Sequence, residues 1–230
     1  PYTASGTGLI GMVGAAIEQL KTAPSIVVIE PCRVVDIHLS LTVYGFNTVR
    51  RTYLEKTIRD HLVSSEDQSI RGIFDIANSD FGLQMPVSLV MKTIESLAGV
   101  DYLDVTRFQR VPYGRKLTET SSSDISIGSY VYGVNTIEET WSVSFLSPST
   151  FKVTGQVSGV QVAQGTLGSQ YTVDDGSFSF VISAGLIPPA TNEKWEIRTG
   201  AYVGNINPDT PELCRLLNSD YSLTLVGGAG

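Results

Sequence analysis

The strictest pattern in the chain is the alternation of residue types in "RVVDIHLSLTVYG", residues 33–45. The apolar positions are Val35, Ile37, Leu39, Leu41 and Val43, and the positions between them are Asp36, His38, Ser40 and Thr42. Because successive side chains of a strand point to opposite faces, this pattern predicts a strand with one buried face and one polar face.

A helix is predicted to follow this strand, in "TVRRTYLEKTIRDHLVSS" from residue 48, with Asn47 as its N-terminal cap. Its inward stripe is expected to contain Val49, Tyr53, Leu54, Ile58 and Leu62. Other faces of the helix carry Arg50, Arg51 and Arg59, for which two interpretations remain: a solvated helix surface or a contact with an acidic partner subunit.

A second helix is predicted in "VSLVMKTIESLAGVDYLDV", residues 87–105. Pro86 suits the first helical turn, and Gly99 suits the left-handed conformation that ends many helices. The buried stripe consists of Val87, Val90, Met91, Ile94 and Leu97. Since residues 100–105 extend at once, we expect the helix to dock on a sheet that its own next strand joins, in a strand–helix–helix–strand unit over about 33–110.

The connection between the two helices, residues 64–84, has no clear amphipathic element to bury its apolar residues. These residues are Ile70, Ile73, Phe74, Ile76, Phe81 and Leu83. Either they form an interface with a neighbouring protein, with Ile73, Phe74 and Phe81 as candidates, or the connection folds over its own two helices.

The composition changes near residue 118, and short extended runs punctuated by Gly, Pro or Asp-Gly follow one another, as in a β-sandwich or barrel. We therefore predict an α+β protein in which a small strand–helix–helix–strand domain precedes an all-β, sandwich-like domain. The expected division is a lead-in helix and linker (1–30), an α+β domain (31–117) and a β-rich module (118–230). The last strand, 220–228, could complete either sheet.

The charge balance narrows the range of partners. A net charge of −7 argues against a general nucleic-acid surface, which needs clustered Lys and Arg. No apolar run reaches the roughly 18–20 residues of a membrane span, so no membrane contact is expected. The first residues have no basic leader and no initiator Met, and we expect the chain to be a piece of a longer one.

Few residues suggest catalysis, and we expect no enzyme activity, no cofactor and no metal site. Neither His38 nor His61 has neighbours at metal-ligand or triad spacing, so both are expected to be ordinary histidines. The motif "GTGLIG" (6–11) matches a dinucleotide-binding turn but lacks the preceding strand that such a turn needs, which favours a flexible lead-in to a helix.

Three further features have an ordinary structural interpretation beside a functional one. "DDG" (174–176) is typical of a hairpin turn, although a calcium site remains an alternative. Trp141 and Trp195 each begin an alternating run, as sandwich-core residues do, and sugar stacking would instead require them to be exposed. Cys32 and Cys214 are expected to be free buried thiols.

The run from about 31 to 105 resembles the C-terminal part of the J-like baseplate wedge proteins of contractile phage tails and related injection machines. The resemblance lies in the strand "CRVVDIHLSLTVY", the helix "TVRRTYLEKTIRDHL" and the second helix ending in Gly-Val before a strand. The later stretch "ETWSVSFLSPSTFKVTGQVSG" is similar to β-modules of phage structural proteins.

This resemblance implies a structural role without catalytic residues. Such proteins join wedges into a ring around the tail hub, so the implied partners are other wedge and hub proteins and further copies around a six-fold ring. The implied location is the tail baseplate of the virion, assembled in the host cytoplasm. The alternative from another class is a tail adhesin or carbohydrate-binding β-module that uses exposed Trp141 and Trp195.

Overall fold

The computed structural model describes residues 9–20, 33–117, 122–209 and 212–230. Within these ranges the α-helices are α1 (Leu9–Leu20), α2 (Arg51–Leu62) and α3 (Val87–Glu95), with a 3-10 turn at Ile76–Asn78. The strands are β1 (Arg33–Arg50), β2 (Val100–Arg110), β3 (Tyr113–Lys116), β4 (Ser126–Tyr132), β5 (Glu139–Phe145), β6 (Thr150–Gly155), β7 (Gly159–Thr166), β8 (Gln170–Thr172), β9 (Phe178–Ser183), β10 (Lys194–Thr199) and β11 (Glu212–Ala229). The protein is therefore mostly β-structure, distributed over several sheets, with few helices.

The first sheet has the strand order β11-β1-β2, in which β1 is parallel to β11 and antiparallel to β2. The alternation predicted for β1 is confirmed, because its five apolar side chains from Val35 to Val43 are at most 2% exposed. Helices α2 and α3 cover this apolar face: α2 packs over β11 and β1, and α3 packs over β2.

The inward stripes of the two helices complete this core. Leu54, Ile58 and Leu62 of α2 and Val90 and Ile94 of α3 are all at most 1% exposed. Burying a side chain of this size contributes about 1.5–3 kcal/mol, so the helices are held mainly by this shared face.

The start of α2 differs from the prediction. Strand β1 continues to Arg50, which pairs with Ala229 of β11, and the amide of Phe46 donates to the carbonyl of Gly99 at 3.0 Å. These non-local backbone bonds hold residues 46–50 extended, so the prediction that Asn47 caps the helix is wrong. The prediction that Tyr53 belongs to the inward stripe is also wrong, because Tyr53 is 62% exposed. In a helix that begins at Arg51, the inward positions are those of Leu54, Ile58 and Leu62.

The left-handed conformation predicted for Gly99 is confirmed, with φ at +103°. Helix α3 ends at Glu95, and a short turn through Leu97 leads to Gly99 and directly into β2. A Cβ atom at Gly99 would lie 2.8 Å from Cγ2 of Val49. Glycine is therefore required here both by its φ angle and by the close approach of the β1 end.

The second unit is a β-sandwich made of a five-stranded sheet, β3-β10-β5-β6-β7, and a three-stranded sheet, β4-β9-β8. The side chains between the two sheets are Ile125, Trp141, Val143, Phe145, Phe151, Val153, Tyr171, Val173, Phe178, Phe180, Ile182 and Ile197. Aromatic rings dominate this core, for example Phe151 and Phe180 with centroids 6.1 Å apart.

The last strand does not belong to the sandwich. β11 pairs with β1 from Arg33↔Glu212 onward, so residues 212–229 lie in the first sheet, whereas the expected module of 118–230 included them. The reason is burial: Cys214, Leu216 and Leu225 belong to the core that α2 covers, and each is at most 6% exposed. The sandwich strands thus lie, in the chain, between β2 and β11.

Candidate interaction surfaces

A buried charge cluster joins the first sheet to the sandwich. Glu212, at the start of β11, is 0% exposed, and its carboxylate accepts from Arg110 Nη2 at 3.3 Å and from the Tyr113 hydroxyl. Arg198 of β10 pairs with Asp209 and lies 3.7 Å from Glu212. Burial, together with the hydrogen bond to Glu212, raises the pKa of Tyr113, which keeps its phenol protonated as a donor. Because these charged side chains come from β2, β10, β11 and the segments beside them, we interpret the buried cluster as a structural joint.

Further contacts fix the same joint. The amide of Phe108 donates to the carbonyl of Tyr202 at 3.0 Å, and Gln109 Nε2 donates to the carbonyl of Gly200 at 2.8 Å. The guanidinium of Arg107 lies over two rings, 5.1 Å from the centroid of Tyr132 and 5.4 Å from that of Tyr202. The sandwich is therefore tied to β2 by backbone, side-chain and cation–π contacts together.

The connection 64–84 both packs inward and faces outward. The amides of Ile73 and Phe74 donate to the carbonyls of His61 and Leu62 at 3.0 and 2.9 Å, which continues the end of α2 into the connection. Phe74 is only 6% exposed and lies 6.4 Å from Phe108 in the core, with Ile73 packed partly against the same core. These two candidate interface residues are thus anchors of the connection.

Of the other four apolar residues of the connection, Ile70 is half-buried and the remaining three are exposed. Ile76 is 77% exposed, Phe81 57% and Leu83 50%. We call these three residues the loop patch. Phe81 is therefore the one of the three apolar interface candidates that lies on the surface.

Hydrogen bonds to two aspartates hold the part of the connection that leads to its exposed apolar residues. Asp67 accepts from the hydroxyls of Ser65 and Ser69 at 2.7 and 2.8 Å, and these bonds lower its pKa to about 2. Asp75 accepts from the amide of Ala77 at 2.8 Å and from the Ser64 hydroxyl. The segment is thus a hydrogen-bonded loop with a defined backbone.

The three candidate arginines, Arg50, Arg51 and Arg59, are all exposed. Beside Arg59, a groove of about 490 Å³ is lined by Thr52, Glu55, Lys56, Arg59, Asp60, Val63, Ser64 and Glu66. Lys56 and Asp60 form an ion pair at 2.7 Å within it. This charged lining of both signs differs from the mostly apolar pockets that bind small molecules, and it suits contact with a polar protein surface.

The histidines occupy separate places. His38 lies on the polar face of β1 with its ring centroid 5.7 Å from that of Tyr132, and His61 Nδ1 lies 2.8 Å from the carbonyl oxygen of Thr57. Among the residues that the structure describes, no group of three or more His, Cys, Asp or Glu side chains is placed to hold a metal ion. None of the described helices is long and apolar enough to cross a membrane.

The tryptophans belong to the sandwich. Trp141 is 1% exposed and donates from Nε1 to the Thr199 hydroxyl at 3.2 Å. Trp195 is half-buried and donates to Glu193 at 2.9 Å. Trp141 therefore has no free face for a sugar, as the core interpretation predicted.

The other sequence features also have a structural place. Gly176 has φ at +72°, and Ser177 donates its amide to Asp175 at 2.9 Å, so "DDG" forms the turn between β8 and β9. Cys214 is a free thiol whose burial raises its pKa to about 11. Cys32 and the first two glycines of "GTGLIG" lie outside the described residues.

No protein-family model and no curated protein matches the chain. Among solved structures, two crystal forms of FlgL from Xanthomonas campestris align with it, each with a TM-score of 0.30. One alignment has 16% identity and covers 42% of this chain and 29% of FlgL; the other has 15% identity and covers 62% and 44%. The matches span less than half of FlgL, and at this similarity they carry no argument about fold or function.

Proposed function

We propose that the chain is a structural subunit of the baseplate wedge of a contractile phage tail or a related injection machine, and that it acts through protein–protein contacts. The chain order of β1, α2, α3 and β2, with both helices on one face of the sheet, supports this proposal. It is the order that the resemblance to J-like baseplate proteins implies for a strand–helix–helix–strand unit.

The observation that carries the proposal is the loop patch. Ile76, Phe81 and Leu83 expose large apolar side chains on a backbone that hydrogen bonds already hold in place. The amide of Gly82, for instance, donates to the carbonyl of Glu212 at 2.9 Å. A preformed apolar surface loses little conformational entropy when a partner covers it, which is the property expected of a protein–protein contact.

The arginines favour a partner of the opposite charge. The protein carries a net charge of −7, yet Arg50, Arg51 and Arg59 expose three positive charges within ten residues of chain. A local basic surface on an acidic protein orients it toward acidic neighbours and speeds their encounter.

The test compares two substitutions on surfaces of similar exposure. Phe81→Asp removes an apolar side chain of the loop patch, and Val131→Asp, at a side chain 58% exposed on β4, is the matched control. Both variants should keep the native circular dichroism spectrum. We expect Phe81→Asp to abolish incorporation into purified tails and Val131→Asp to leave incorporation unchanged.

Two results would count against the proposal. One is equal incorporation of both variants, and the other is the absence of the native chain from purified tails. Phe74→Asp gives an internal check, because a charge at this buried position should unfold the α+β core, unlike Phe81→Asp.

A further inference from the structure

Within the residues that the structure describes, the first sheet, β11-β1-β2, is unpaired along part of each of its two edge strands. In β11, residues 221–226 pair with β1 in unbroken register, and no described segment pairs with their other side. In β2, no described segment pairs with the outer side of residues 101–106, since only Phe108 is bonded to residues 202–204. Its register with β1 is continuous over residues 102–105 and shifts at Asp101 and Thr106. The unpaired stretch in continuous register is therefore six residues long in β11 (221–226) and four residues long in β2 (102–105).

The β11 edge lacks the features that usually prevent strand addition. Residues 221–226, "YSLTLV", contain no charged residue and no proline. Natural edge strands commonly carry Lys, Pro or a bulge that blocks pairing with another chain. An uncharged edge in regular register is a template for a further strand.

The charges beside the two edges are opposite. Arg51 lies against the end of β11, since a Cβ at Gly228 would be 3.3 Å from Arg51 Cβ. Arg59 also lies near β11, within electrostatic reach of Tyr221. Together with Arg50, they place three exposed positive charges near the β11 edge, against one exposed negative charge, that of Glu55.

Near the β2 edge, the exposed charged side chains are mostly acidic. Asp101 and Asp104 are exposed on β2, and Glu95 is exposed at the end of α3, which packs over that strand. The opposing charges on this side are Lys92 of α3 and the partly buried Arg107 of β2, which leaves three acidic side chains against two basic ones. The sheet is thus basic at its β11 edge and acidic at its β2 edge.

We infer that the occupant of each edge is a second copy of this chain, with the β11 edge of one copy pairing with the β2 edge of the next. When two such sheets lie side by side in the same orientation, β2 of one copy runs antiparallel to β11 of the other, because β2 is antiparallel and β11 parallel to β1. The opposite charges then meet across the junction.

This contact uses different surfaces on the two copies. Such a head-to-tail interface generates a closed ring or an open filament rather than an isolated dimer. In the baseplate it links neighbouring copies around the ring, and to that extent the inference rests on the proposed function.

The experiment measures self-association of the purified chain by sedimentation velocity over a range of concentrations. The acidic-edge variant carries Asp101→Lys and Asp104→Lys, and the basic-edge variant carries Arg51→Glu and Arg59→Glu. Each variant alone should associate at least about tenfold more weakly than the native chain, because like charges then face each other. An equimolar mixture should regain association, and Lys152→Glu, an exposed change on β6, should have no effect.

Hydrogen exchange locates the contact. Amides within residues 102–105 and 221–226 should exchange more slowly as protein concentration rises. The inference is overturned if the chain is monomeric at every concentration, if these amides show no concentration dependence, or if the acidic-edge variant associates like the native chain. The last result indicates pairing of β11 with β11.

The two proposals can fail separately. Native-like incorporation of both edge variants into purified tails refutes the edge contact and leaves the wedge function standing. Concentration-dependent protection of both edges in a chain that is absent from tails refutes the wedge function and leaves the edge contact standing.

Discussion

Substitution of Gly99 by alanine should destabilise the α+β core by two separable effects. The first is backbone strain, because φ at this position is +103°, where a residue with a Cβ atom is disfavoured by about 1–2 kcal/mol. The second is overpacking, because the new methyl group would lie 2.8 Å from Cγ2 and 3.1 Å from Cγ1 of Val49. Overpacking of this kind costs about 1–3 kcal/mol, which gives a total of about 2–5 kcal/mol.

Gly159 provides the matched control for strain. Its φ is +74°, and a Cβ atom there would meet nothing within 4 Å. Gly159→Ala should therefore cost only the strain, about 1–2 kcal/mol. The difference between the two variants, measured as free energies of unfolding in urea, isolates the contact with Val49.

A third variant tests the cause directly. Combining Gly99→Ala with Val49→Ala removes the methyl groups that the new Cβ would meet, so the two changes should be less destabilising together than the sum of their separate effects. The reasoning is refuted if Gly99→Ala and Gly159→Ala cost the same, or if the two effects at Gly99 and Val49 are simply additive.

Two further predictions concern charged groups. Glu212→Gln should cost about 3–5 kcal/mol in urea unfolding, because it leaves the buried Arg110 without its counter-charge. Asp36→Asn, in the more exposed pair with Arg215, should cost less than about 1 kcal/mol, and equal costs of the two variants would contradict the role of burial. The pKa of Asp67 is about 2 in the folded loop and about 3.9 in an unfolded chain, so the stabilisation from its Ser65 and Ser69 hydrogen bonds is fully present above about pH 4 and is lost as pH falls through 2. An NMR titration of the Asp67 carboxyl group with a midpoint near 4 would contradict this.

Local chemistry was sufficient to predict several elements. The alternation in β1 gave its buried face correctly, because a side-chain period of two fits only an extended strand with one covered side. Gly99 and the Asp174–Gly176 turn were predictable since few residue types tolerate a positive φ. These predictions depend on residues that are close together in the chain.

The candidate interaction surface was only partly predictable. Phe74 and Phe81 both lie in a polar stretch without periodicity, so the sequence does not distinguish them. The structure separates them because the Phe74 amide bonds to the carbonyl of Leu62 and turns its ring into the core, whereas Phe81 lies in a turn held at the start of β11. The burial of these two side chains depends on Phe108 and Glu212, which are distant in the sequence, so no local pattern records it.

Residue patterns along the chain therefore predict the extended conformation of β1 and the positions, such as Gly99, at which the backbone requires glycine. Tertiary structure alone decided that β1 continues to Arg50, because its last residues pair with β11 more than 170 positions away in the chain. It also decided that β11 completes the first sheet, since an alternating strand fits any sheet whose core accepts its apolar face. Both outcomes follow from backbone pairing and burial between residues distant in sequence, which are properties of the folded chain as a whole.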